Sequence, residues 1–467
     1  MSRKVVVLGG GLAGLAASLR LADAGWSVTV LESRRRLGGR ASSFEDVTSG
    51  RTLDNCQHVL MGCCTNLLDF YARLGVEDAI EWHSQTHWLR PDGGRDVMRP
   101  SWLPAPLHMA GSLRRMRLLD RSMKRQVRRG MWRMLRMGVA GRSTLANQNF
   151  ASVLDQWGQG DQVRKLFWEP IILSACNLSL ECVAAIHAVQ VFQDGFLAGA
   201  WHSTMGVPAI PLADLYAPAA DVICQAGGEV RLGCAATSIA IEHRRVIGVQ
   251  TKEEFLRADV VLSALPWERL DAILTDADRD TDVRLGNLSI LGHSAILGVH
   301  IVFDRVVMDE PHLVLPGRGV HWVFNKGIDA DGSQHLHAVI SAADLWMDRS
   351  PDDIRDAVLR DIHAAYPDSQ EASVLLCRPV KERRATFAAT KEAEPCRPPA
   401  SPSPVGPQGG DIEGLYLAGD WCRSGWPATM EGAVRSGYLA AAAMSGVGEL
   451  VPDAPAGGLV RFLAKTR

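Results

Sequence analysis

The first forty residues constrain the fold most, because they combine a glycine-rich turn with an acidic residue at fixed spacing. They predict a buried strand over Val5 to Leu8, the turn Gly9-Gly-Gly-Leu-Ala-Gly14, a helix to about Ala24 and a second strand over Ser27 to Leu31. In such a unit the glycines allow a tight turn, close backbone approach to a pyrophosphate and tight helix–strand packing. The helix N-terminus offers unpaired N–H groups to phosphates, and Glu32 is placed to accept hydrogen bonds from ribose hydroxyls. The sequence predicts a dinucleotide site.

Two further motifs narrow the choice of dinucleotide. Leu37-Gly-Gly-Arg40 follows the first unit, a strand near the C-terminus ends at Gly419-Asp420, and Thr429-Met-Glu-Gly-Ala433 opens an alanine-rich helix. Together these motifs resemble those of the amine oxidase and carotenoid desaturase flavoprotein superfamily. In that superfamily the arginine lies near the cofactor phosphates, and the aspartate meets the ribityl–pyrophosphate region. The N-terminus of the last helix points at the flavin pyrimidine.

The resemblance implies that non-covalently bound FAD is the cofactor. Ala236 falls where a superfamily residue holds the adenine through its backbone. The residues assigned to FAD are Gly9, Gly10, Gly11, Leu12, Ala13, Gly14, Glu32, Ser33, Gly38, Gly39, Arg40, Ala236, Gly419, Asp420, Thr429, Met430 and Ala433.

The predicted fold class is α/β, with a discontinuous Rossmann-like FAD-binding domain and an inserted α+β substrate domain. This follows because the two halves of the FAD site lie at opposite ends of the chain and must meet in space. The predicted segments are 1–85, 226–285 and 411–446 for FAD, 86–225 as a largely helical substrate or membrane-facing part, 286–395 as the substrate-domain sheet, 396–410 as an exposed Pro/Ser/Gly-rich loop, and 447–467 as a tail.

Composition excludes several other classes of protein. The chain has 467 residues and a formal charge of −2, which gives no general indication of nucleic-acid binding. No apolar run reaches the length needed to cross a bilayer, and we expect no signal peptide, because the first unit begins at residue 3. The ten cysteines lack metal-site spacing, so we expect reduced thiols and no bound metal. A cytoplasmic location is expected.

The segment Leu113 to Met137 is unusual, with ten Lys or Arg residues and one acid, Asp120. On an ideal helix, one side would carry Met116, Leu119, Met123, Val127, Met131 and Met134. This side could pack on the protein core and leave a charged face exposed. Alternatively, it could enter the acyl boundary of a membrane while the basic residues meet anionic lipid. We favour the second interpretation, with the protein peripheral on the inner face of the cytoplasmic membrane.

A narrower resemblance comes from two other stretches. Asn55-Cys-Gln-His-Val-Leu-Met-Gly62, continuing to Tyr71, and Phe167-Trp-Glu-Pro-Ile-Ile-Leu-Ser-Ala-Cys-Asn177 resemble the squalene-associated FAD-dependent desaturases, the hydroxysqualene dehydroxylases of bacterial hopanoid synthesis. The resemblance implies reductive removal of an allylic hydroxyl from hydroxysqualene to give squalene. A thirty-carbon isoprenoid needs a long apolar tunnel, and a proton donor should assist the leaving hydroxyl.

His58 is the first candidate for that donor, because an imidazole titrates near neutral pH; a structural role is its alternative. Glu169 and Asn177 are weaker candidates. Trp168, Asn177, Trp421 and Trp426 are expected to shape the substrate pocket. Since no second G-x-G-x-x-G motif follows a strand, we expect electrons from an external donor, either a reductase or NAD(P)H.

Three other functions are compatible with parts of the sequence. A carotenoid-type (phytoene-type) desaturase would use the flavin oxidatively on a similar polyene. An amine oxidase is less compatible, because that branch places a tyrosine where this chain has Thr429. A prenyl-lipid carrier without catalytic activity would not need the complete set of FAD motifs.

Overall fold

In a computed structural model that describes residues 3–403 and 410–464, a five-stranded parallel sheet forms the cofactor domain. Its strands come from three separate parts of the chain. The two halves of the predicted FAD site therefore meet at the carboxyl ends of these parallel strands. In spatial order they are Glu229–Leu232, Ser27–Glu32, Lys4–Leu8, Val260–Ser263 and Leu415–Leu417. The predicted fold class is confirmed.

Two helices cross closely on this sheet, Leu12–Asp23 and Met430–Ser445. They approach at Gly437, where an added Cβ would lie 2.3 Å from the carbonyl oxygen of Ala13. The remaining elements of the domain are helices Thr65–Leu74, Leu212–Tyr216, Pro218–Gln225, Trp267–Asp271 and Asp276–Thr281, and the antiparallel strands Ala236–Glu242, Arg245–Thr251 and Phe255–Arg257.

A mixed seven-stranded sheet forms the second domain, and helix Pro351–Ala365 covers one of its faces. Its strands, in spatial order, are Val374–Thr386, Ser294–Phe303, Gln334–Ile340, Trp322–Ile328, His312–Val314, Thr86–Leu89 and Arg95–Met98. The last two strands belong to the segment 86–225, which is therefore less purely helical than expected. Smaller sheets are formed by Ser43–Asp46 with Arg51–Asp54, and by Leu60–Met61, Met205–Pro208 and Ile80–His83.

Most of the rest of segment 86–225 forms a layer of helices, called the helical layer below, which packs against Trp88 in strand Thr86–Leu89 of the second sheet. Its helices are Ala110–Arg115, Arg121–Met137, Phe150–Gln156, Asp161–Val163, Glu169–Cys176 and Ala185–Gln190, with π-helical turns at Arg164–Trp168 and Val191–Leu197.

The basic segment 113–137 is not one helix, which corrects the ideal-helix prediction. The chain leaves the first helix at Met116 and starts the second with Asp120 as its N-cap, whose Oδ1 accepts a 2.8 Å hydrogen bond from the Met123 amide. The predicted apolar residues face the protein interior, and Val127 and Met134 are fully buried. The expectation that they enter the acyl layer is therefore wrong: their burial in the core is the more favourable use of that surface.

The Pro/Ser/Gly-rich segment also differs from expectation. Residues 404–409 lie outside the described part of the chain, but Arg397, near its start, is only 1% exposed. The tail contains a short helix, Gly458–Leu463. None of the helices among the described residues has both the length and the apolar character needed to cross a bilayer.

Candidate cofactor and substrate site

The glycines of the first turn have different roles. An added Cβ at Gly14 would lie 2.0 Å from the carbonyl oxygen of Gly9, so helix and strand pack in contact there. A Cβ at Gly11 would meet only the Cα of Gly39, at an ordinary 3.8 Å. Gly11 is also the N-cap of its helix and has no capping side chain. Gly14 therefore serves the fold, whereas Gly11 leaves open backbone N–H groups and space for a phosphate.

Glu32 is held rigidly at the end of its strand. Its Oε2 accepts a 2.8 Å hydrogen bond from the Gly10 amide, and its Oε1 accepts bonds from the Arg34 amide and the Ser33 hydroxyl, at 2.8 and 3.1 Å. Carboxylate oxygens can accept more than one hydrogen bond each. Glu32 thus keeps capacity for ribose hydroxyls while its position is fixed.

Arg40 and Asp420 join the two ends of the chain. The Arg40 guanidinium donates a hydrogen bond to Asp420 Oδ1 and a second, of 3.2 Å, to the carbonyl oxygen of Ala385. Burial alone would lower the pKa of Arg40, but the Asp420 carboxylate raises it above its usual value. Gly419 precedes the aspartate with φ +147°, and its amide donates to Ser436 Oγ. A charged pair therefore lies beside the predicted pyrophosphate position.

One cavity of about 820 Å³ contains nearly all the predicted cofactor residues. Those that line it are Gly9, Gly11, Leu12, Ala13, Glu32, Ser33, Gly38, Gly39, Arg40, Ala236, Gly419, Asp420, Thr429, Met430 and Ala433. Gly10 and Gly14 do not line the cavity; they belong to the turn behind its wall. Thr429 is the N-cap of its helix, and its hydroxyl accepts a 3.0 Å bond from the Gly432 amide. The uncapped N-terminus of helix Leu12–Asp23, a carboxylate for ribose and a close-packed glycine backbone fit FAD.

The same cavity continues between the two domains along apolar side chains, including Met61, Ile171, Val191, Phe196 and Trp322. Trp421 and Trp426 also line it, as expected, and the Trp421 indole donates a 3.0 Å hydrogen bond to the Leu265 carbonyl. A large, mainly apolar cavity with few polar groups is typical of sites for hydrophobic small molecules.

Asn177 lines the cavity, but its amide group is committed to the fold. Its Nδ2 donates to the Ser294 carbonyl and the Thr386 hydroxyl, and its Oδ1 accepts a 2.7 Å bond from the Ala342 amide. With φ +53°, the residue also ends helix Glu169–Cys176 in the left-handed conformation. Asn177 connects the helical layer to the second sheet and is poorly suited to be the proton donor.

Trp168 and Glu169 are placed away from the cavity, which corrects two predictions. Trp168 is fully buried within the helical layer, where its indole donates to Gln159 Oε1 and its ring packs on Phe192 and Gly130. Glu169 borders a separate small cleft with Lys165, and burial raises its pKa. In the 167–177 stretch, Trp168 and Glu169 therefore serve the fold and do not face the cavity.

His58 lies in the cavity wall. Its Nδ1 is 3.1 Å from the carbonyl oxygen of Cys56, which can only accept, so Nδ1 carries the hydrogen and Nε2 is the unprotonated nitrogen. Burial lowers the pKa of His58 below its usual 6.5, although the Cys56 carbonyl and the Asp54 carboxylate oppose this effect. The imidazole is therefore mainly neutral at pH 7.

Two further polar residues line the cavity beside His58, and neither was identified from the sequence. Asn55 Nδ2 donates to the Arg40 carbonyl at 2.7 Å and to Glu382 Oε2 at 3.3 Å, and both residues face the cavity. Asn55 begins the stretch 55–71 that resembles the hydroxysqualene dehydroxylases, and this position could have indicated it as a site residue. Glu382 lies in a long strand among other charged residues, and nothing local distinguishes it. Within the described residues there is no cluster of ligands suited to a metal ion.

Comparisons with known proteins show which family the chain belongs to. The chain is 28% identical over 459 residues to the 15-cis-phytoene desaturase of Arabidopsis thaliana, covering 93% of this chain and 78% of the relative. It is 27% identical over 464 residues to the hydroxysqualene dehydroxylase of Sinorhizobium fredii, covering 94% and 98%. A solved oxidoreductase from Methanosarcina mazei shares the fold, with a TM-score of 0.68, 18% identity, and coverage of 93% and 98%. The family model of flavin-containing amine oxidoreductases matches residues 12–445. The chain therefore belongs to the flavin-containing amine oxidoreductase family.

Proposed function

We propose that this flavin-dependent oxidoreductase removes the allylic hydroxyl of hydroxysqualene and yields squalene. One observation carries the proposal: the cofactor motifs and a mainly apolar wall line the same cavity. The polar side chains of His58, Asn55 and Glu382 also line it, and Asn55 joins Glu382 to the backbone of Arg40 in the cofactor site. An isoprenoid chain needs the apolar wall, and a single hydroxyl needs only a few polar partners.

The reaction breaks the allylic C–O bond, forms a C–H bond at that carbon, and releases water after the hydroxyl takes up one proton. Reduced flavin, when bound, supplies the two electrons and the hydrogen for the new C–H bond. Gly11, Glu32, Arg40 and the helix that begins at Met430 would hold this cofactor, and Trp421 in the cavity wall would help to exclude water. The proton is assigned to His58, whose lowered pKa makes the protonated ring a stronger acid.

The hydroxysqualene dehydroxylase relative supports this proposal, because the match extends over nearly the full length of both chains. Phytoene desaturases match equally well, so oxidative desaturation of a carotenoid precursor is the competing function. The two functions run the flavin in opposite directions, and this difference provides the test.

The test offers hydroxysqualene, phytoene and an amine in parallel to the purified protein. One arm uses protein reduced anaerobically with dithionite, and the other uses oxidised protein with an electron acceptor. Squalene formed in the reduced arm, with reoxidation of the flavin, is the expected result. Desaturated phytoene in the oxidised arm, without squalene in the reduced arm, would replace the proposal with the desaturase function. Release of the flavin by acid precipitation tests the proposed non-covalent binding.

We also propose that the protein binds the inner face of the cytoplasmic membrane as a peripheral protein. The basic segment supports this, because eight of its ten cations are exposed while its methionines are buried or half-buried against the core. The exposed cations are Arg114, Arg115, Arg117, Arg121, Arg125, Arg128, Arg129 and Arg133. Exposed aromatic side chains lie on or near the same helix, with Trp132 at 52% and Phe462 at 83% exposure. Arg136 donates a 2.9 Å hydrogen bond to the Leu463 carbonyl and so links helix Arg121–Met137 to helix Gly458–Leu463, which carries Phe462. Cations with exposed aromatic residues suit an anionic interface.

An external reductase or NAD(P)H is the proposed source of electrons.

A further inference from the structure

Arg397 is a buried cation at the centre of a ring of backbone carbonyls. Its Nη2 is 3.0 Å from the carbonyl oxygen of Asp420, 2.6 Å from that of Cys422 and 2.8 Å from that of Trp426. Its guanidinium carbon lies 5.0 Å from the centroid of the Phe387 ring. All three carbonyls belong to the loop that connects the Gly-Asp motif to the last cofactor helix.

An ion pair between the buried Arg397 and the half-buried Glu394 orients the Arg397 side chain. Glu394 Oε2 accepts a 3.0 Å hydrogen bond from Arg397 Nη1 and lies 2.7 Å from His187 Nε2. Burial would favour the neutral acid, but the His187 hydrogen bond and the Arg397 charge lower the pKa of Glu394 to about 2. The carboxylate is therefore ionised at neutral pH and balances the buried cation.

The loop needs this cation for its shape. Three carbonyl oxygens that converge on one point repel one another, and a buried carbonyl oxygen that loses its donor costs free energy. A planar guanidinium offers several N–H donors in a fixed arrangement, which an ammonium group does not reproduce. The same loop places three side chains in the cavity wall, namely Asp420, Trp421 and Trp426.

We infer that Arg397 is a positioning residue for the cofactor: by holding the 420–426 loop through its carbonyls, it sets where Asp420, Trp421 and Trp426 meet the bound flavin. Glu394 and His187 keep the guanidinium in place. The inference goes beyond the proposed reaction. It depends on the flavin site and not on which substrate is used, so the product assay can fail without affecting it.

The test replaces Arg397 by Met, which keeps much of the side-chain length, and by Lys, which keeps the charge. FAD is titrated into each apoprotein, the visible circular dichroism of the bound flavin is recorded, and the melting temperature of the apoprotein is measured. We expect at least tenfold weaker FAD binding and an altered flavin spectrum for Arg397→Met, with partial recovery in Arg397→Lys. Glu394→Gln should give a smaller loss in the same direction.

Arg423 provides the matched control, because it lies in the same loop but is exposed, with one long 3.5 Å bond to the Pro395 carbonyl. Arg423→Met should bind FAD like the original protein. Wild-type FAD affinity and spectrum in Arg397→Met, even with a lower melting temperature, would overturn the inference. If Arg397→Met does not fold, wild-type affinity and spectrum in both Arg397→Lys and Glu394→Gln would overturn it equally.

Discussion

The carboxylate of Glu431 caps a helix that lies more than 350 residues away in the sequence, because its Oε2 accepts a 2.7 Å hydrogen bond from the backbone amide of Leu67. Its Oε1 accepts bonds from the amide and side chain of Asn66. Helix Thr65–Leu74 has no capping side chain of its own. The glutamate of the Met-Glu-Gly motif thus closes the N-terminus of a helix in the first cofactor segment.

Glu431→Ala should destabilise the protein by roughly 2–4 kcal/mol, because two buried amides lose their acceptor. Urea unfolding of the apoprotein measures this change. Glu449→Ala is the control, since Glu449 is an exposed acid near the end of the same helix. Equal stability of the two variants would show that the cap contributes little.

Gly11→Val and Gly14→Ala should separate cofactor binding from folding. The Cβ at Gly11 has room in the protein itself, so Gly11→Val should fold but fail to retain FAD, because its side chain occupies the approach to the pyrophosphate. Gly14→Ala should lose both, since its Cβ overlaps the Gly9 carbonyl. Flavin absorbance per protein and far-UV circular dichroism distinguish these outcomes. Full flavin content in Gly11→Val would contradict the assignment of the site.

Local sequence predicted those elements whose boundaries are set by neighbouring residues. The first helix, predicted to run to about Ala24, ends at Asp23, and Gly25 just beyond it has the left-handed φ of +78° that favours the end of a helix. The break after Arg115 escaped prediction, since the burial of Met116 and Leu119 depends on distant parts of the chain. Arg397 escaped for the same reason: a Pro/Ser/Gly-rich context suggests exposure, whereas its partners come from other segments.

Glu394 should make stability depend on pH in the acidic range. Its pKa is lowered from 4.5 to about 2 in the folded protein, which corresponds to roughly 3 kcal/mol at neutral pH. Because the folded pKa is the lower one, this stability is present above about pH 4.5 and is lost as pH falls towards 2. Urea unfolding at several pH values measures it. Glu394→Gln should be less stable at pH 7 and approach the original protein only as pH falls towards 2; a constant difference would contradict this account.

The pH profile of turnover should reveal the role of His58. If the protonated ring gives its proton to the leaving hydroxyl, activity should rise as pH falls below neutral, because the pKa of His58 is below 6.5 and little imidazolium exists at pH 7. His58→Gln should keep FAD, lose the pH dependence and turn over about 100-fold more slowly or worse. A profile that rises with pH would instead indicate a base, as the desaturase function requires. An unchanged rate in His58→Gln would leave the residue a structural role.

Membrane attachment should depend on the basic segment and not on net charge alone. Reversing Arg117, Arg121, Arg125 and Arg128 to Glu should release the protein from anionic liposomes, because each cation contributes about 1 kcal/mol at such a surface and four correspond to about a thousandfold in affinity. All four side chains are exposed, so the fold should be kept.

The control reverses four exposed cations elsewhere, Lys252, Arg257, Arg355 and Arg360, and so makes the same change in net charge. Co-sedimentation with vesicles containing phosphatidylserine, and with purely zwitterionic vesicles, measures both variants. We expect the control to bind anionic vesicles nearly as well as the original protein, and zwitterionic vesicles to bind all three weakly. Equal binding of the two variants would mean that the basic face serves only solubility, since packing of the opposite, apolar face on the core already explains why the helix forms.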